Sequence, residues 1–203
     1  MVKMIPKYTD ADRRSKDIPV YQLPDYFILP PKLIMSLESF GTEHKHWHLL
    51  SSEITNSINK ARESYIHILP EACIYYSIVA LEYSLKTKYC LYLSKKEGDE
   101  KADSLLKDNG FSLGTFVKDG DTKLSEIKLI RLKSEISSLN TLRNGLIHFN
   151  YKKLMKAIKE LGYDFSWHEK DGVFVFYTTF IDDNLALNVY KKVCNLIENI
   201  FVR

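Results

Sequence analysis

An all-α domain carrying one small β-hairpin is the fold class this sequence predicts, and three observations predict it. Chain breakers are scarce: the 203 residues include 8 Gly and 6 Pro, and Pro70 is the only proline after residue 31. Apolar residues recur at helical spacing through most of the chain beyond residue 52. The composition, 45% hydrophobic and 27% charged, is that of a globular chain able to bury a core without staples. The length fits one domain with a small elaboration.

Residues 1–52 read as an extended arm, because Pro19, Pro24, Pro30 and Pro31 prevent a continuous helix. Val20, Tyr21, Tyr26, Phe27, Ile28 and Leu29 make it apolar enough to lie against the body or a partner chain, and a short helix is expected over 31–39. Residues 53–203 form the helical domain. A first helix is expected over 53–68, with Ile54, Ile58, Ala61 and Tyr65 on one face. Pro70 suits the first turn of the next helix, expected over 70–95 and central because it is apolar nearly all round. A shorter helix over 99–107 ends at Asn109-Gly110, and a brief helical turn is expected over 112–117. The longest helix is expected over 123–149, and helical character continues over 151–161 up to Gly162. Residues 163–167 and 173–180 are rich in β-formers around Asp171-Gly172, which predicts a hairpin insertion over about 163–181. Asp182-Asp183-Asn184 offers an N-cap to a final amphipathic helix over 185–202.

No apolar run reaches the roughly 20 residues needed to span a bilayer, and residues 1–17 are charged with no apolar segment of the secretory kind. Cys73, Cys90 and Cys194, an odd number without CxxC spacing, read as reduced thiols. A cytoplasmic protein with no membrane association is expected. The formal net charge is only +3, yet residues 123–161 hold nine Lys or Arg against three acids. A basic segment in a near-neutral chain suits an anionic partner such as RNA, against the plain alternative of a solvated helix face.

The stretch that carries chemistry lies inside that basic segment. On one helix, Leu139, Leu142, Leu146 and Phe149 form a stripe expected to face the core. Asn140, Asn144, His148 and Tyr151 form a second stripe, with Arg143 beside it and Ile147 between Arg143 and Asn144. His is the side chain best suited to move protons near neutral pH, and Arg grips phosphate oxygens as a fixed cation. Asn144 can position either of them or the phosphate. Together they are equipped to assist attack of an RNA 2′-hydroxyl on the adjacent phosphorus without a metal. One helix supplies one His, whereas the reaction uses an acid and a base, so a two-fold dimer is expected to complete the site. Gly145 inside this helix costs about 1 kcal/mol of propensity relative to Ala, which points to a packing or functional reason.

Arg143-Asn144-Gly145-Leu146-Ile147-His148 resembles the Arg-Asn-x-x-x-His motif of the HEPN superfamily. Ala80-Leu81-Glu82-Tyr83-Ser84-Leu85-Lys86 resembles the segment on that family's second long helix, and Phe111-Ser112-Leu113-Gly114-Thr115-Phe116 the connector before its motif helix. The resemblance covers residues 53–150. It implies a helical bundle that dimerises through the motif helices, and metal-independent endoribonuclease activity in many members, often as toxins or antiviral defence effectors. It assigns Arg143, Asn144 and His148 as catalytic. Lys152, Lys153 and Lys156 are the expected RNA-binding residues, and Ile147, Asn140 and Tyr151 the expected dimer interface. No cofactor and no metal ligand are expected. An antitoxin or nucleotidyltransferase partner encoded elsewhere is a further expectation of the resemblance. Family toxins silenced by nucleotide transfer carry Tyr two residues after the His; here Asn150 holds that position and Tyr151 comes one later, which argues against that regulation. Some family members are inactive, so the reading from a different class is a silent nucleotide-binding or protein-interaction module.

Two further groups invite a function and have plainer explanations. His44-Lys45-His46-Trp47-His48 spaces three imidazoles two apart, but no Cys or carboxylate repeats the pattern, and surface or packing histidines are favoured. Glu82 and Lys86 are most simply an i, i+4 helix pair, with orientation of Arg143 by Glu82 as the alternative.

Overall fold

The computed structural model describes residues 48–107, 111–118, 120–162 and 181–201. Of these, 87% are helical and none lies in a strand, which bears out the all-α expectation. The expected hairpin strands, the arm up to residue 47 and the short helix over 31–39 lie outside the described residues, as do His44, His46 and Trp47.

Three helices make the core. α1 (His48–Ile66) and α8 (Asp183–Phe201) both pack along α2 (Pro70–Glu97) and touch one another. α1 begins at His48, five residues before the expected start, so the end of the expected arm is helical. α2 is central as expected: Ile74, Ile78, Leu81 and Leu85 are wholly buried. Two of its buried hydroxyls are satisfied locally, since Ser77 and Ser84 donate to the carbonyls of Cys73 and Ala80 at 2.7 Å. That satisfaction is what lets polar residues sit in a dry core. Asp182 caps α8, its Oδ1 accepting from the Leu185 N–H at 2.8 Å.

The remaining helices form a layer against this core. α3 (Asp99–Lys107) packs on α2, α4 (Leu113–Lys118) on α6, and α5 (Gly120–Glu126) on α4. α6 (Lys133–Ile147) packs on α2 and pairs with α7 (Tyr151–Glu160). Lys192 reaches Glu135 at 3.2 Å and ties α8 to α6.

The continuous helix expected over 123–149 is not formed. α5 ends at Glu126, a 3-10 turn spans Ile130–Leu132, and α6 starts at Lys133. Two causes are visible. The turn buries Leu124, Ile127, Leu129 and Leu132, whose spacing of three, two and three no single helix face accommodates. Glu126 is also claimed by α2: Tyr89 donates to it at 2.8 Å, Tyr92 at 3.5 Å, and Lys96 stands 3.5 Å away. The chain reverses through Lys128 at φ +60°, the Leu129 N–H donating to the Leu124 carbonyl at 2.6 Å.

Candidate functional site

α6 ends at Ile147, two residues before the expected end, and the manner of its ending shapes the site. The Asn150 N–H donates to the Gly145 carbonyl at 2.9 Å and the Phe149 N–H to the Leu146 carbonyl at 3.4 Å, with Phe149 at φ +47° between them. This is a Schellman cap, in which Phe149 holds the left-handed position that Gly usually fills. A left-handed conformation costs an L-residue about 1–2 kcal/mol. Asn150 then caps α7, its Oδ1 accepting from the Lys153 N–H at 3.1 Å. Asn is a preferred N-cap residue, so Asn150 was a readable signal that a new helix begins at Tyr151.

This cap corrects one expectation and splits another. Leu139, Leu142 and Leu146 are buried as the stripe requires, but Phe149 is 77% exposed, because the left-handed turn swings it off the core face. The second stripe holds only as far as His148, whose N–H still donates to the Asn144 carbonyl at 3.2 Å. Tyr151 belongs to α7 rather than to the motif helix.

Within α6, Arg143 is half-buried and its Nη1 donates to Glu82 Oε2 at 2.6 Å. The same oxygen accepts the Leu113 N–H at 3.0 Å, so one carboxylate of α2 joins the motif Arg to the first residue of α4. The reading of Glu82 as a simple partner of Lys86 is therefore replaced by its alternative: Glu82 orients Arg143, and the Lys86 Nζ lies 6.0 Å from the Phe111 ring centroid. The physical reason is tertiary, because α2, α4 and α6 converge at this carboxylate. Arg143 Nε is buried and finds no acceptor among the described residues. Leaving such a donor unpaired costs about 1–3 kcal/mol.

Asn144 is half-buried and His148 exposed at the helix end. Asn140 is half-buried and faces α4, its Oδ1 4.0 Å from where a Cβ on Gly114 would stand. Ile147 is 42% exposed, as expected of the side away from the core. Gly145 has a packing reason: a Cβ there would stand 2.9 Å from Leu154 N and 3.0 Å from its Cα. The missing side chain lets α7 approach α6 and so sets where Lys152 and Lys153 emerge. Both lysines are exposed, whereas Lys156 lies 3.8 Å from Glu160 in an exposed i, i+4 pair. No described helix is long and apolar enough to cross a membrane.

The arrangement offers a positioned guanidinium, an amide one residue on and an imidazole at the helix end. Sequence reasoning had weighed the Glu82–Arg143 contact but missed the Glu82–Leu113 N–H bond and the exposure of Phe149. Comparison of the chain with family models, curated proteins and solved structures gave no match.

Proposed function

We propose that this chain is a HEPN-type endoribonuclease that cuts RNA at a site shared between two copies. The reading rests on the motif resemblance and on one observation above all: Glu82 holds Arg143 in place on the helix that ends in an exposed His148. The chemistry comes from these groups. One His148 takes the proton from a ribose 2′-hydroxyl as its oxygen attacks the adjacent phosphorus. The bond to the 5′-oxygen breaks, and that oxygen leaves with a proton from the second His148. Arg143 stabilises the charge that grows on the phosphoryl oxygens. The products are a 2′,3′-cyclic phosphate and a 5′-hydroxyl, with no redox change and no metal in any step.

The two-fold pairing is proposed for two reasons. Acid and base must stand on opposite sides of one phosphorus, and the motif helix supplies one imidazole. Ile147 and Tyr151 are 42% and 43% exposed at that helix end, which gives a second copy apolar surface to cover.

The test is to incubate purified protein with total RNA in EDTA and identify the termini. Wild type is expected to leave cyclic phosphate ends, while Arg143→Ala and His148→Ala remain folded and lose most activity. Strict dependence on a divalent ion would refute this chemistry, and equal cleavage by wild type and His148→Ala would refute the assignment of the site.

A further inference from the structure

Two lysines near Arg143 have lost the carboxylates that their own helices offer them. Lys86 stands one turn beyond Glu82 on α2, yet Glu82 is taken by Arg143 and the Leu113 N–H. Lys123 stands three residues before Glu126 on α5, yet Glu126 is taken by Tyr89, Tyr92 and Lys96. Both lysines gather instead on one aromatic cluster. The Lys86 Nζ lies 6.0 Å and the Lys123 Nζ 5.9 Å from the Phe111 ring centroid, and Lys123 also lies 5.5 Å from that of Tyr89. Among the described residues neither makes an ion pair. A ring face orients an ammonium but leaves its charge uncompensated. Both side chains are only half-buried, so the two charges stay open to an anion.

Their place in the fold indicates the shape of that anion. Glu82 meets Arg143 on α6, and Tyr89, further along α2, meets Glu126 at the end of α5. The chain from α5 to α6 thus runs back along α2. At about 1.5 Å of rise per residue, the step along α2 from Glu82 to Tyr89 is roughly 10 Å. Arg143, Lys86 and Lys123 therefore follow one another along α2, and His148, at the end of α6, lies at the opposite end of the row. A row of cations matches the repeating charges of a phosphate chain better than one compact anion. The centres of protein interfaces, by contrast, are depleted in Lys.

We propose that Lys86 and Lys123 form a phosphate subsite for the RNA strand as it runs on from the scissile phosphate, away from His148. This rests on the ribonuclease reading and adds to it the residues that hold the rest of the substrate. The strand is then held on both sides of Arg143, by Lys152 and Lys153 past the His148 turn and by Lys86 and Lys123 along α2. Contacts to phosphates fix the register of a strand without reading its bases. The subsite therefore raises affinity for longer substrates, not for particular sequences.

The experiment measures the dissociation constant of a long, uncleavable 2′-O-methyl RNA strand across a range of salt. Wild type, Lys86→Met, Lys123→Met, the double Met variant and the double Arg variant are compared. Met keeps the unbranched stem on the rings and removes the charge, whereas Arg keeps the charge. Thermal unfolding checks that each variant is folded. Each Met change is expected to lower the slope of log affinity against log salt by about 0.7, one phosphate contact of a single strand, and the two together by about 1.4. The double Arg variant is expected to keep the wild-type slope. Weaker binding at every salt with an unchanged slope would overturn the subsite by giving the lysines a packing role only. Unchanged affinity and slope in a protein that cuts RNA would overturn the subsite alone. Capture of ATP, lost in the double Met variant with the RNA slope intact, would overturn it by assigning the pair to a free nucleotide. Wild type that neither binds nor cuts RNA would overturn the subsite and the ribonuclease reading together.

Discussion

Replacing Gly145 by Ala sets two known effects against each other at a place where the structure decides the winner. On propensity alone, Ala in a helix interior gains about 1 kcal/mol over Gly. The added Cβ, however, would lie 2.9 Å from Leu154 N, 3.0 Å from its Cα and 3.1 Å from its Cβ. Backbone atoms cannot swing aside as the end of a flexible side chain does. The strain is relieved only if α7 moves as a unit, and α7 is anchored by Leu154, Ala157 and Ile158, all at 0% exposure. Overpacking of that kind costs about 1–3 kcal/mol, and an anchored backbone places this site at the upper end. The net expectation is a loss of about 2 kcal/mol, or a melting temperature lower by about 4–8 °C for a chain of this size. Thermal unfolding followed by circular dichroism reads the shift. Because α7 carries Lys152 and Lys153, RNA cleavage should fall below wild type even at temperatures where the variant is folded. A melting temperature that rises by the propensity gain would show that α6 and α7 are not in close contact, and would refute the packing argument for this glycine.

Three further outcomes are expected from the same geometry. Glu82→Gln should keep an acceptor for the Leu113 N–H but lose the charged partner of Arg143; a charge-assisted bond is worth about 1.5–3 kcal/mol, and the fall in activity should appear in kcat in the pH-independent region if Glu82 positions Arg143. Ile147→Asp should place two like charges close together across a two-fold interface, shifting a dimer towards monomer in light scattering and removing cleavage with it; a dimer indifferent to the change would put the interface elsewhere. Burial pushes the Cys73 and Cys90 thiols up to about 12 and Cys194 up to about 11, from an ordinary value of 9.0, so a thiol reagent at pH 8 should react with them only on unfolding. The sign of the linkage is that the unfolded thiols ionise first: their contribution is intact below about pH 9 and is lost as pH rises towards 12, which urea titrations across that window would show.

The helical class, the central place of α2 and the burial of Leu139, Leu142 and Leu146 on the motif helix are legible without coordinates, because hydrophobic spacing and the scarcity of breakers are local properties. The sequence also marked Arg143, Asn144 and His148, since residue type and spacing are read without coordinates. Tertiary structure decided the rest. The split at 127–132 depends on Glu126 being drawn to Tyr89 and Tyr92 from a distant helix, which no local pattern announces. Phe149 continues an apolar stripe in sequence and leaves it in space, because the cap turns the chain through a left-handed residue that is not Gly. Glu82 paired equally well on paper with Lys86 on its own helix. The convergence of α2, α4 and α6 gave it to Arg143, because a carboxylate enclosed by three elements gains more from a guanidinium and a backbone N–H than from the Lys86 ammonium one turn along its own helix.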